Sequence, residues 1–296
     1  MNPYNDLPHK AFWRSAVADV SMFDIRGLWT PKFAITPEMG TATFGSCFAQ
    51  HFGHALRDRS FNWIDGEPAP SELSPENCKK FGFGQFSGRT GNIYTTSLLR
   101  QWLEFASRTK DQPDEYWEKD GRIFDPFRPN IEPGGFDSVE EMRKMRDITI
   151  SALNRTLRRT DLFVFTLGLT ESWVNREGGY EYPMCPGTVA GDFEAKNHIF
   201  AQQDYELIRE NLLKSIEILR QRNADIKVLL TVPPVPLTAT NSGDHVLVAT
   251  SLSKSILRTV AGAVAAEFDM STTFRHMRLL IRRFSRVRFL SQTCGV

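Results

Sequence analysis

Two short apolar runs, each set between stretches of helical periodicity, constrain this chain most. Residues 161–167 (DLFVFTL) and 226–232 (IKVLLTV) are rich in β-branched and aromatic side chains, and they stop at Gly168 and at Pro233-Pro234. Runs this short, ended by turn residues, predict buried strands. The stretches around them repeat every three or four residues. Phe48, Phe52 and Leu56 mark one helix face, Leu98, Leu99, Trp102 and Leu103 another. Ser138-Val139-Glu140-Glu141 reads as a capping box opening a helix whose buried side is Met142, Met145, Ile150, Leu153 and Leu157. Ile208, Leu212, Ile216 and Leu219 mark a fourth helix, and Leu252, Ile256, Val260 and Val264 a fifth. Alternating strands and helices predict an α/β fold, a mainly parallel sheet in three layers with helices on both faces. Residues 67–130 are richer in Gly, Pro and polar side chains and are expected to form long loops over the sheet.

Composition excludes several classes. With 41% apolar residues and a net charge of +1, disorder is excluded, and 296 residues can bury a core without covalent staples. The balance of charge argues against a specific nucleic-acid partner. The four cysteines, Cys47, Cys78, Cys185 and Cys294, show no C-x-x-C pair, so neither a zinc site nor a disulfide framework is expected, and no cofactor is implied. His51 and His54 stand three apart on one helix face but read as surface residues rather than a metal pair. The N-terminus has no basic stretch followed by an apolar one, and no run approaches the roughly 18 apolar residues of a membrane span. A cytoplasmic protein is the expectation.

In parallel sheets, ligands bind beyond the carboxyl ends of strands. Three segments stand at such places. Gly45-Ser46-Cys47-Phe48-Ala49 joins a first strand, residues 40–44, to a helix. A serine there sits beside the positive end of a helix dipole, a sensible place for a nucleophile whose intermediate is an oxyanion, although a serine N-cap is the plainer reading. Cys47 is a rival nucleophile, expected to turn into the core. Gly168-Leu169-Thr170-Glu171-Ser172-Trp173 follows the second strand and offers backbone N–H groups and a hydroxyl, or else simply starts a helix. Gly91-Asn92 is a turn pair whose asparagine can donate to an oxyanion or close the turn.

These three segments, in this order, resemble the GSCFA family, named for residues standing here as Gly45 to Ala49. Gly91-Asn92-Ile93-Tyr94-Thr95, Phe165 to Glu171, Cys185 to Gly191 and Ser253-Lys254-Ser255 belong to the same likeness, which spans Asn2 to Asp269. The family looks like a divergent branch of the SGNH/GDSL hydrolases, so the resemblance implies a flavodoxin-like fold and a single domain over residues 1–269. It implies a serine esterase, hydrolase or acyltransferase acting on a small-molecule or saccharide acyl ester. Ser46 takes the nucleophile's place, and its own N–H is expected in the oxyanion hole. Gly91 matches the second glycine donor. Thr170 stands where the superfamily has asparagine, with Asn92 as a substitute donor. Gly45, Gly168, Glu171 and His245 are expected to support the site. A non-catalytic carbohydrate- or protein-binding module on the same scaffold, with Trp173 and Tyr94 as stacking surfaces, is the alternative.

The superfamily's late D-x-x-H, which supplies the general base, has no counterpart after Phe200. The segment from Met270 onward carries six arginines and no acid, leaving thirty basic against thirty-five acidic residues, a net −5, before it. Residues 269–278, back-translated as GAC ATG TCG ACT ACT TTC CGT CAT ATG AGG and read from the C of GAC, give His-Val-Asp-Tyr-Phe-Pro-Ser-Tyr-Glu, which resembles the family's continuation. The expectation is an out-of-frame tail over residues 270–296 and an impaired enzyme.

Overall fold

The computed structural model describes residues 2–269 and 271–273. In chain order the strands are β1 (Thr41–Gly45), β2 (Trp117–Lys119), β3 (Arg122–Phe124), β4 (Leu162–Thr166), β5 (Glu171–Asn175), β6 (Glu181–Tyr182), β7 (His198–Gln202), β8 (Lys227–Thr231) and β9 (Ser271–Thr273). The α-helices are α1 (Cys47–Arg57), α2 (Pro75–Lys80), α3 (Thr96–Ser107), α4 (Val139–Arg158), α5 (Tyr205–Arg222) and α6 (Val246–Glu267). The central sheet runs β1-β4-β8-β9, every neighbouring pair parallel. Helices flank it, as the three-layer α/β expectation required.

Alternation along the strands sorts the core. Ala42, Phe44, Phe163, Phe165, Val228 and Leu230 share one face and merge with the buried sides of α3, α4, α5 and α6 in one large cluster. The rings of Phe44 and Phe163 stack at 5.5 Å between centroids. Burying each such ring stabilises the fold by about 1.5–3 kcal/mol. Leu162, Val164 and Leu229 point the other way, under Phe52 of α1 and the side chains of Trp29, Phe33, Ile35 and Met39.

The expected helices α1, α3, α4, α5 and α6 all form, with two differences of detail. At α4 the Ser138 Oγ accepts from the Glu141 N–H at 3.1 Å, while the Glu141 carboxylate reaches past it to the Asp137 N–H at 2.9 Å, so the capping box is displaced by one residue. In α6 the buried stripe is Ala249, Ser253, Leu257, Val260, Ala261 and Val264, and Leu252 is exposed. Small residues let that helix pack close, which turns the stripe away from Leu252.

Residues 67–130 are loop-rich as expected, but they also hold α2, α3 and the β2–β3 hairpin. A second, antiparallel sheet of order β6-β5-β7 lies beyond β4 and was not expected. The helix start read at Thr170-Glu171 is instead the entry to its central strand, β5. Ser271–Thr273 carry the main sheet past Asp269. The rest of the arginine-rich tail, and with it Cys294, lies outside the described residues. Among the described residues no helix is long and apolar enough to cross a membrane.

Candidate active site

Three strands end level: Gly45 lies opposite Thr166, and Thr166 opposite Thr231. Gly45 has φ +131°, and a Cβ there would fall 2.4 Å from the Thr166 carbonyl oxygen, so only glycine lets the chain leave the sheet at this angle. Ser46 follows at the N-cap of α1 with extended backbone, yet its side chain caps nothing. Its Oγ is buried and has no hydrogen-bond partner among the described residues. Four other helices are capped in the ordinary way, by Ser74, Thr95, Ser138 and Asp204. Leaving a buried hydroxyl unpaired costs about 1–3 kcal/mol, so Ser46 is not held there for stability.

Two loops close around this serine. The Ile93 N–H donates to the Gly45 carbonyl at 2.9 Å, which hangs the Gly91-Asn92 turn from the end of β1. Gly91 has φ +69°. The N–H groups of Gly91 and Asn92 make no hydrogen bond among the described residues, and the Asn92 Oδ1 is a second buried, unpartnered atom. From the other side, a Cβ on Gly168 would stand 3.0 Å from the Ser46 Cβ and 3.0 Å from the Tyr94 ring, so the segment after β4 packs directly on the serine. Ser46, Cys47, Gly91, Asn92, Gly168 and Glu171 line one cleft of about 670 Å³ with apolar walls. That is the size and character of a small-molecule site.

Across residues 41–289 the chain matches the family model described as GSCFA family. The chain belongs to the GSCFA family. Comparison with curated proteins and with solved structures finds no match. The GSCFA match continues through most of the arginine-rich tail.

Within the GSCFA segment itself, one cleft gathers most of the expected residues but corrects four roles. The Ser46 N–H donates to the Thr166 carbonyl at 3.1 Å, continuing the sheet ladder, so it does not face an oxyanion. Thr170 is fully buried outside the cleft, with its hydroxyl accepting from Gln202 Nε2 at 2.7 Å. It braces β5 against β7 and does not replace the superfamily's asparagine. The Gly168 and Leu169 N–H groups both go to the Tyr94 carbonyl, at 2.9 and 3.1 Å, tying the two loops together instead of facing a ligand. His245 is exposed and caps α6, its Nδ1 accepting from the Leu247 N–H at 3.2 Å, so it does not serve Ser46. Cys47 also departs from expectation: at the first position of α1 it is half-buried and lines the cleft. Glu171 holds the loop on the opposite rim, its Oε1 accepting from the Thr240 hydroxyl at 2.6 Å.

The GSCFA sequence contains two ionisable groups of note that reading for motifs passed over. Lys254, inside the Ser253-Lys254-Ser255 motif on α6, reaches into the cleft and donates to the Gly168 carbonyl at 2.6 Å. Burial pulls its ammonium down to about 8, opposed by the nearby Cys47 thiol. Glu181 is buried behind the cleft, where Thr95, Ser97 and Gln203 hydrogen-bond its carboxyl group. Burial pushes its pKa up to about 7 despite those bonds. Among the described residues no group of three His, Cys, Asp or Glu side chains is placed to hold a metal ion.

Proposed function

We propose that this chain is a serine-dependent hydrolase or acyltransferase that acts on O-acyl esters, in particular O-acetyl esters of a carbohydrate, on a divergent SGNH/GDSL-type scaffold. The observation that carries the reading is Ser46: a buried, unpartnered hydroxyl at a strand-to-helix turn, on the floor of a cleft. Ser46 Oγ attacks the ester carbonyl. The free N–H groups of Gly91 and Asn92, with the positive end of the α1 dipole, face the developing oxyanion. Trp173, held edge-on by Phe193 and Phe200, and Tyr94 give the cleft aromatic walls suited to a sugar ring. The same walls favour the second reading, a carbohydrate-binding module that does not turn over.

We read the segment beyond Asp269 as out of frame and the late D-x-x-H as lost with it, so turnover at neutral pH is low; the family match through residue 289 and the pairing of Ser271–Thr273 with β8 favour the opposite outcome, a genuine tail. Sequencing the underlying DNA tests this part: no single-base change restoring the family's continuation means the tail is genuine. The chemistry is tested by hydrolysis of 4-nitrophenyl acetate and of an acetylated oligosaccharide by wild type, Ser46→Ala and a frame-restored chain. Turnover that vanishes in Ser46→Ala supports the esterase. Unchanged turnover in that variant excludes Ser46 as the nucleophile, and saccharide binding without turnover in the frame-restored chain favours the binding module.

A further inference from the structure

A hydroxyl is a poor nucleophile without a base to take its proton. No described histidine lines the cleft that contains Ser46. One amine does. Lys254 projects from α6 onto the Gly168 carbonyl at 2.6 Å, and Gly168 is the residue packed against the Ser46 side chain, its Cβ position 3.0 Å from the Ser46 Cβ. Gly168 therefore touches both the Lys254 amine and the Ser46 side chain. We propose that Lys254 is the general base for Ser46 in this chain, an inference that rests on the reading of Ser46 as nucleophile.

A neutral amine has two N–H donors and a lone pair. One N–H stays on the Gly168 carbonyl, and the lone pair accepts the Ser46 proton through one water, since the Ser46 Oγ makes no direct hydrogen bond to a described residue. The bond from Oγ to the carbonyl carbon forms as that proton moves to Nζ. The ester C–O bond then breaks, and the ammonium returns the proton to the departing alkoxide. In deacylation a water molecule gives its proton to Nζ and attacks the acyl carbon. Collapse releases the carboxylic acid, and the ammonium reprotonates Ser46. Each cycle consumes one ester and one water and leaves the enzyme unchanged.

The surroundings keep the amine from being fixed as a cation. The Cys47 thiol of α1 is the titratable group that acts on it, and it opposes the effect of burial. Glu171 of β5 shares the cleft, but its carboxylate is taken by the Thr240 hydroxyl and the Asn241 N–H. Arg258 stands one turn along the same helix as a like charge. Arg209 of α5 pairs with Glu267 at the far end of α6. No carboxylate forms an ion pair with Lys254 among the described residues.

The test is the rate at which a fluorophosphonate probe labels Ser46 in the full chain, mapped by peptide mass spectrometry across pH. The wild-type rate rises about tenfold per unit and levels near pH 8. Lys254→Met lowers it about 100-fold or more and flattens the profile. Lys254→Arg, which keeps a cation on the Gly168 carbonyl but cannot deprotonate, is equally slow, and Lys254→Ala recovers in added propylamine. If Lys254→Met does not fold, Lys254→Arg decides. A wild-type rate and profile in Lys254→Arg overturns the role of Lys254 and leaves Ser46 standing. No labelling of Ser46 in wild type at any pH overturns the nucleophile itself, and labelling that maps to Cys47 overturns both.

Discussion

Ser46 and Ser138 hold the same position at the starts of two helices, and they behave differently. Both have extended backbone at the N-cap. Ser138 is solvent-accessible and bonds the first turn of α4, as N-cap serines do. Ser46 is buried, bonds nothing, and faces a cleft into which two loops and a lysine converge. The helix start is therefore generic, and the surroundings decide its use. Where the strand before the helix ends inside a sheet, the turn needs a glycine and delivers the side chain to the ligand side. Where a loop precedes the helix, the side chain is free to cap.

Exchanging the two serines for alanine breaks the comparison most sharply. Ser46→Ala lowers ester turnover by about 1,000-fold or more, whereas Ser138→Ala leaves it unchanged, both read as kcat/KM on an acetyl ester. Gly45→Ala destabilises the fold by about 2–4 kcal/mol in urea melts, because it combines a positive φ with a Cβ driven into the Thr166 backbone. Glu181 sharpens the account of the buried polar layer behind the cleft. Its folded pKa of about 7 lies above the usual carboxylate range, so the native state binds the extra proton. Its own contribution to stability is then greatest below the unfolded carboxyl value, falls as pH rises through about 7, and is level above that. The expected span is about 1–3 kcal/mol, and Glu181→Gln flattens it in melts run across that range. The smallest effect is on stability at the two serines themselves. Ser138→Ala costs about 1 kcal/mol, while Ser46→Ala costs nothing or stabilises slightly, since it removes an unpaired buried hydroxyl. Equal losses from both would erase the distinction.

The central sheet was legible in the sequence because β4 and β8 are buried on both faces and so read as unbroken apolar runs. Ser46, Gly91 and Gly168 were legible because each follows a strand or turn that the pattern already marked. The second sheet was not. β5 and β7 are half-buried, carry polar side chains and lack a clean alternation, so their pairing is decided by tertiary contact. Thr170 was misread for the same reason: matched by position to an asparagine, it is in fact drawn inward by the β5–β7 ladder. A histidine before a helix looks like a base, and His245 is a cap. Lys254 was hidden because a lysine in an amphipathic helix ordinarily lies along the surface with its charge in water. Only the placement of α6 beside Gly168 turns it inward.

The central claim is that Ser46 forms a covalent bond with the acyl group. Mixing the full chain with an acetyl ester near pH 8, quenching in acid and mapping the peptides by mass spectrometry tests it most directly. The account predicts one acetyl adduct, on the peptide containing Ser46, absent from Ser46→Ala and present in Ser138→Ala. An adduct on Cys47, or turnover without any adduct on Ser46 in wild type and undiminished in Ser46→Ala, would contradict it.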